Sequence, residues 1–167
     1  MVSITDMVVN FDKYIEKYVE GTNSINGCKP KSCDALLQLA ENRYVLVEFK
    51  NGRVDKDDVR SKMSSSCLCL LDTLDKKVDY ARTNIDFILV YNKEKNSCST
   101  PTRKLQKNEV QTSTSFELLR GSVMHSAELP VLMPGFECFE MLWFRKVRTY
   151  SAEIFEYEYR NDFPNMN

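Results

Sequence analysis

Only one histidine, His125, occurs in 167 residues, and no Cys or Asp arrangement of triad type stands near it. The serines of "SKMSSSC" lack a G-x-S-x-G turn, and no P-loop or dinucleotide-binding glycine pattern occurs, so nucleophilic-hydrolase and nucleotide-fold readings have little to stand on. An excess of basic charge is missing as well. With 23 Lys and Arg against 24 Asp and Glu the formal net charge is −1, so no global positive field advertises nucleic acid or an anionic membrane, and any basic surface has to be local. The opening "MVSITDMVVNFDKYIEKYVEG" has neither the basic start nor the apolar stretch of a signal peptide, and no later apolar run approaches a membrane span. A cytoplasmic protein with no membrane partner is the expectation.

What the chain does have is the makeup of an ordinary folded protein: 43% hydrophobic and 28% charged residues, enough for one domain over 1–167 with a sizeable core. Its six cysteines, Cys28, Cys33, Cys67, Cys69, Cys98 and Cys138, pair as C-x4-C and C-x-C without a second matching pair. That spacing does not suit zinc, and without a secretory signal they read as small thiols in a reducing compartment.

Val8, Phe11, Ile15, Tyr18 and Val19 recur at helical spacing, with Thr5 as N-cap and Gly21 as stop. "CDALLQLA" and "RYVLVEFK" read as two strands of a hairpin around the polar turn "ENR". Asp55 then caps a long helix whose apolar stripe is Val59, Met63, Cys67, Leu70 and Leu74, and "NIDFILVYN" is a strand covered on both faces. The order helix, strand hairpin, helix, strand predicts an α/β fold with a mixed central β-sheet flanked by helices.

From 92 to 115 the composition turns to Lys, Asn, Ser and Thr, a polar connection carrying the basic residues Lys93, Lys95, Arg103, Lys104 and Lys107. Its charge makes it a candidate for phosphate contact, against the plainer reading of a solvated loop. A helix–strand–helix extension is expected over 116–167: a helix at "SFELLRGSVM", a strand "MLWFRKVRTY", and a terminal helix opened by Ser151 with Phe155 and Tyr159 inward.

The stretch "RYVLVEFK" ends on charge where it should be buried. Alternation in a strand puts Glu48 and Lys50 on one face above Leu46, while Val45, Val47 and Phe49 take the other. Charges on a central strand need a partner or a metal. An antiparallel neighbour that opens with Asp34 can bring a second carboxylate beside Glu48. Two carboxylates and a backbone carbonyl make a hard oxygen site suited to Mg2+, and Lys50 is placed to hold or deprotonate a metal-bound water and to stabilise charge on a phosphate.

Asp34, thirteen intervening residues and then Glu48-Phe49-Lys50, set in that element order, resemble the PD-(D/E)xK nuclease superfamily over residues 5–92. Cys33 stands where a proline commonly precedes the aspartate; that residue is not a ligand. The resemblance implies a restriction endonuclease-like core, a catalytic set of Asp34, Glu48 and Lys50, and Mg2+ or Mn2+ held by Asp34, Glu48 and the Phe49 carbonyl. Supporting residues are implied on the first helix, Glu16 or Glu20, and on the second, Lys62 or Ser66. The implied substrate is nucleic acid, DNA by analogy, and nucleases of this type often act as homodimers.

Two alternatives stand beside this. Glu48 and Lys50 can be an ion pair at the end of an edge strand with Asp34 a turn residue, although Glu48 follows four apolar residues and precedes Phe49. The chain can also be a nuclease-like scaffold without activity that binds a protein partner as an immunity or regulatory protein. Geometry separates them in part: Asp34 shares a face with Glu48 only if opposed residue numbers sum to an even value, which calls for an odd loop such as Glu41-Asn42-Arg43. A Leu39–Tyr44 register would turn Asp34 away.

Overall fold

The computed structural model of the chain describes residues 7–22, 28–96 and 135–156. Its sheet grows outward from the strand with the strongest apolar pattern. That strand, β3 (Arg43–Lys50), lies between β2 (Ala35–Ala40) and β4 (Ile85–Tyr91) in a five-stranded sheet of order β1-β2-β3-β4-β5, where β1 is Met7–Asn10 and β5 is Lys146–Ser151. β1, β2 and β3 run antiparallel; β3, β4 and β5 run parallel. The parallel step from β3 to β4 requires a crossover, supplied by α2 (Lys56–Thr73) and α3 (Val78–Asn84). The protein is therefore a mixed α/β fold, a five-stranded mixed sheet flanked by helices.

One face of the sheet packs Leu36, Leu46, Phe87 and Leu89 against Phe11 and Ile15 of α1 (Phe11–Gly21), Val59, Met63, Cys67 and Leu70 of α2, and Ala81 of α3. The other face collects Leu37, Val45, Val47, Ile88, Val90 and Tyr150, against which Ile154 and Phe155 pack. β3 is buried on both faces, as its run of apolar residues predicts.

Several expectations change. The first helix begins at Phe11, not near Thr5: Asn10 is its cap, accepting from the N–H of Lys13 at 3.0 Å, and Met7–Asn10 pair as a strand with β2. Helical spacing that included Val8 misled because a four-residue strand is too short to declare its period of two. Asp55 caps α2 as expected, through the N–H groups of Asp57 and Asp58.

The hairpin turn is two residues, Glu41-Asn42, with Arg43 already in β3, so the odd loop is not there. A bulge between Gln38 and Ala40 restores the even register, and Gln38↔Tyr44, Leu37↔Val45, Leu36↔Leu46 and Ala35↔Val47 pair accordingly. "MLWFRKVRTY" is a strand only from Lys146, because Met141 to Phe144 close a tight turn in which Met141 N–H donates to the Phe144 carbonyl at 2.7 Å and Met141 takes a φ of 60°. Helix follows Ser151 from 152 to the last described residue, 156, and the Ser151 Oγ accepts from the N–H of Ile154.

At the start of the polar connection Asn96 accepts from the N–H of Val54 at 2.7 Å and donates to the carbonyls of Gly52 and Asn92, in a 3-10 turn at Glu94–Asn96. The "SFELLRGSVM" helix, the basic residues Arg103, Lys104 and Lys107, His125, Cys98 and Tyr159 lie outside the described residues.

Candidate functional site

Asp34 immediately precedes β2, and its backbone is held from both sides: its N–H donates to the Val47 carbonyl at 3.1 Å and its carbonyl accepts from Phe11 at 3.0 Å. Continuing the Ala35↔Val47 register by one residue sets Asp34 opposite Glu48. Its Oδ2 accepts the Phe49 N–H at 2.7 Å. On either side of Phe49, Glu48 and Lys50 rise from the helix-covered face, and the Lys50 ammonium lies 3.0 Å from Glu48 Oε1. They stand toward the carboxyl end of β3, where it pairs with β4 through Glu48↔Leu89 and Lys50↔Tyr91. Ligands of open α/β sheets bind preferentially beyond such strand ends.

The opposing half of the cluster is a single stripe of α2. Asp58, Lys62 and Ser66 recur every four residues and so stack on one face, each one position ahead of the apolar residues Val59, Met63 and Cys67. Asp58 Oδ2 receives Lys50 at 2.9 Å, Lys62 reaches Glu48 Oε1 at 2.8 Å and stands 3.8 Å from Asp34 Oδ1, and Ser66 Oγ accepts the Cys33 N–H at 2.8 Å. Lys31 closes the far end on Asp58 Oδ1 at 2.7 Å. The charges alternate along a line: Lys31, Asp58, Lys50, Glu48, Lys62, Asp34.

Burial sets the electrostatics. Glu48 is 0% exposed, and loss of water pushes its carboxyl above the usual glutamate range with help from the Asp34 charge, against the pull of Lys62 and Lys50. Asp58 is held down to about 2 by hydrogen bonds from Lys31 and then Lys50. Burial works against the charged forms of Lys50 and Lys62, yet hydrogen bonds to Asp58 and Glu48 for the first, and to Glu48 for the second, leave both ammoniums above the usual lysine range. The Cys33 thiol, buried beside the cluster, is pushed up to about 12 by desolvation and stays protonated.

Two carboxylates supply oxygen at one place. Asp34 and Glu48 already converge on one positive group, the Lys62 ammonium, and Glu48 Oε2 is buried without a hydrogen-bond partner. Among the described residues no group of three or more His, Cys, Asp and Glu is set to hold a metal ion. A metal at this place would therefore rest on two carboxylates and keep several waters, the manner of Mg2+ rather than of zinc.

Of the residues singled out in the sequence, Asp34, Glu48, Lys50 and Lys62 come together, and Ser66 supports the chain beside Asp34. The Phe49 ring is exposed, edge-on to Phe155, and the group it engages at Asp34 is its N–H. Glu16 pairs instead with Lys29 at 3.0 Å, with its side chain 57% exposed, and Glu20 is exposed. The acid of α1 that reaches the segment leading into Asp34 is Asp12, which accepts from Ser32. Asp58 and Lys31 were not foreseen; the four-residue spacing of Asp58, Lys62 and Ser66 beside an apolar stripe is the signal that marks Asp58 in the sequence. Of the thiols, Cys33, Cys67 and Cys69 are buried and free while Cys28 and Cys138 are free and exposed, so the small-buried-thiol reading holds for three described cysteines. No family model, curated protein or solved structure matches the chain.

Proposed function

We propose that Asp34, Glu48 and Lys50 form a PD-(D/E)xK-type site that hydrolyses phosphodiester bonds of nucleic acid, DNA by analogy, with Mg2+ or Mn2+ as cofactor. The observation that carries the reading is the convergence of the Asp34 and Glu48 carboxylates on one cation, beside Lys50 on the same sheet face. A restriction endonuclease-like core fits the order α1, β2–β3 hairpin, α2, β4.

In this reading Asp34 and Glu48 hold the metal, whose contribution when bound is an activated water and neutralisation of phosphate charge. Asp34 is kept in place by its bonds to Val47, Phe11 and Phe49. Lys50, steered by Asp58, sets a positive charge next to Glu48 where negative charge develops on the phosphate. The Phe49 carbonyl completes the ligand set that the resemblance implies. The sheet wall beneath Glu48, formed by Leu46 and Leu89, lowers the local dielectric and strengthens each of these interactions.

One observation favours a second reading, the inactive scaffold that binds a protein partner: three ammoniums and three carboxylates in the line already neutralise one another. Mg2+ titration calorimetry separates the two. A metal site binds Mg2+ with one-site stoichiometry and loses affinity in Asp34→Asn; a scaffold binds it no better than any acidic surface, in either protein.

A further inference from the structure

Lys50 and Lys62 both pair with Glu48 Oε1, at 3.0 and 2.8 Å, but their other partners differ. Lys50 is held also by Asp58 at 2.9 Å, a carboxylate that takes no part in the proposed metal set, whereas the second carboxylate near Lys62 is Asp34 at 3.8 Å. Every acid that Lys62 touches is thus one that the metal would use. Its ammonium lies between the two carboxylates, and its side chain is 19% exposed on a flexible four-carbon stem. A divalent ion bonded to the same oxygens would meet a like charge and take over the ammonium's acceptors. Lys50 keeps Asp58 when that happens; Lys62 keeps no carboxylate.

From this asymmetry we infer that Lys62 is an internal cation that occupies the metal position and is displaced when Mg2+ or Mn2+ binds. The inference rests on the proposed metal site and adds a regulatory step to it. Without metal, Lys62 neutralises two acids, one buried and one half-buried, that would otherwise repel each other. On metal binding, the released ammonium becomes a mobile positive charge at the rim, able to meet an anionic phosphate. Lys62 thereby sets a threshold: the site stays closed until divalent cation outcompetes an amine tethered at high local concentration.

The test is Mn2+ titration of the full chain, wild type, Asp34→Asn, Lys62→Met and Lys62→Gln, together with acetylation of wild-type lysines read peptide by peptide with and without Mn2+. Loss of one charge-assisted hydrogen bond to the acceptor predicts Mn2+ binding tighter by about tenfold or more in both Lys62 variants. Acetylation of Lys62 should speed up when Mn2+ is added to wild type, while that of Lys50 should not. Tighter binding with unchanged Lys62 reactivity would mean plain repulsion across space and would overturn displacement. Binding that Asp34→Asn weakens but neither Lys62 variant tightens would also overturn it, and leave the metal site standing. No Mn2+ binding by wild type or either Lys62 variant would remove the metal site and the displacement together.

Discussion

Phe49 donates its backbone N–H to Oδ2 of Asp34 at 2.7 Å, so the residue between Glu48 and Lys50 ties the neighbouring carboxylate to the strand that carries them both. The tie depends on the bulge at Leu39. A two-residue turn alone would run the hairpin in the odd register and send Asp34 to the opposite face. Deleting Leu39 should therefore leave a hairpin able to form while abolishing Mg2+ binding, checked by circular dichroism and calorimetry on the same preparation.

Ser66 is fully buried, and its hydroxyl accepts the Cys33 N–H one residue before Asp34. Ser66→Ala leaves that buried N–H without its acceptor, at a cost of about 1–3 kcal/mol in urea unfolding. Because the loss falls beside Asp34, Mg2+ affinity should drop too.

Asp58 gives a pH signature. Hydrogen bonds from Lys31 and then Lys50 lower its carboxyl from 3.8 to about 2, so the unfolded chain takes up the proton first as pH falls. The contribution of these pairs is whole above about pH 5 and fades as pH drops toward the folded value. The stability difference between wild type and Asp58→Asn should hold constant from neutral pH down to the ordinary carboxylate range and shrink below it. High salt should reduce it throughout, since the Asp58 side chain is 25% exposed. A difference that ignores pH would remove the ion pairs from the account.

A control lies near the start of β4. Asp86 is buried and takes two hydrogen bonds from Arg145, at 2.9 and 2.8 Å, and one from Arg43 at 2.9 Å. The arginines that Asp86→Ala leaves behind are 34% and 27% exposed and can turn to water, so the variant should lose stability by the worth of its charge-assisted hydrogen bonds, about 1–3 kcal/mol. Asp86 pairs with Val45 in the ladder, three positions before Glu48 on β3, so the folded variant should bind Mg2+ as wild type does.

Period and burial made much of this legible from residues alone. Alternation in β3 put Glu48 and Lys50 together, and the 3.6-residue period of Val59, Met63 and Cys67 located α2. α3 was missed because seven residues hold too little period to register, and β1 was hidden inside a helical spacing. The partners chosen by Lys62 and Asp58 were not legible, since they depend on how α2 crosses β3; Asp12 displaced Glu16 because α1 starts at Phe11, capped by Asn10, and turns its first acid toward Ser32. The loop register came out even through a bulge that no turn signal announces.

The central claim is cleavage by this cluster, and the direct measurement is digestion of end-labelled single-stranded DNA, double-stranded DNA and RNA with Mg2+ or Mn2+, comparing wild type, Asp34→Asn, Lys50→Ala and a chelator control. The account predicts metal-dependent cleavage by wild type of at least one substrate, lost in Asp34→Asn together with metal affinity, and lost in Lys50→Ala while metal affinity remains, because the lysine acts on the water and the transition state and not on the ion. Cleavage that survives Lys50→Ala, or no cleavage of any substrate by wild type, would contradict it.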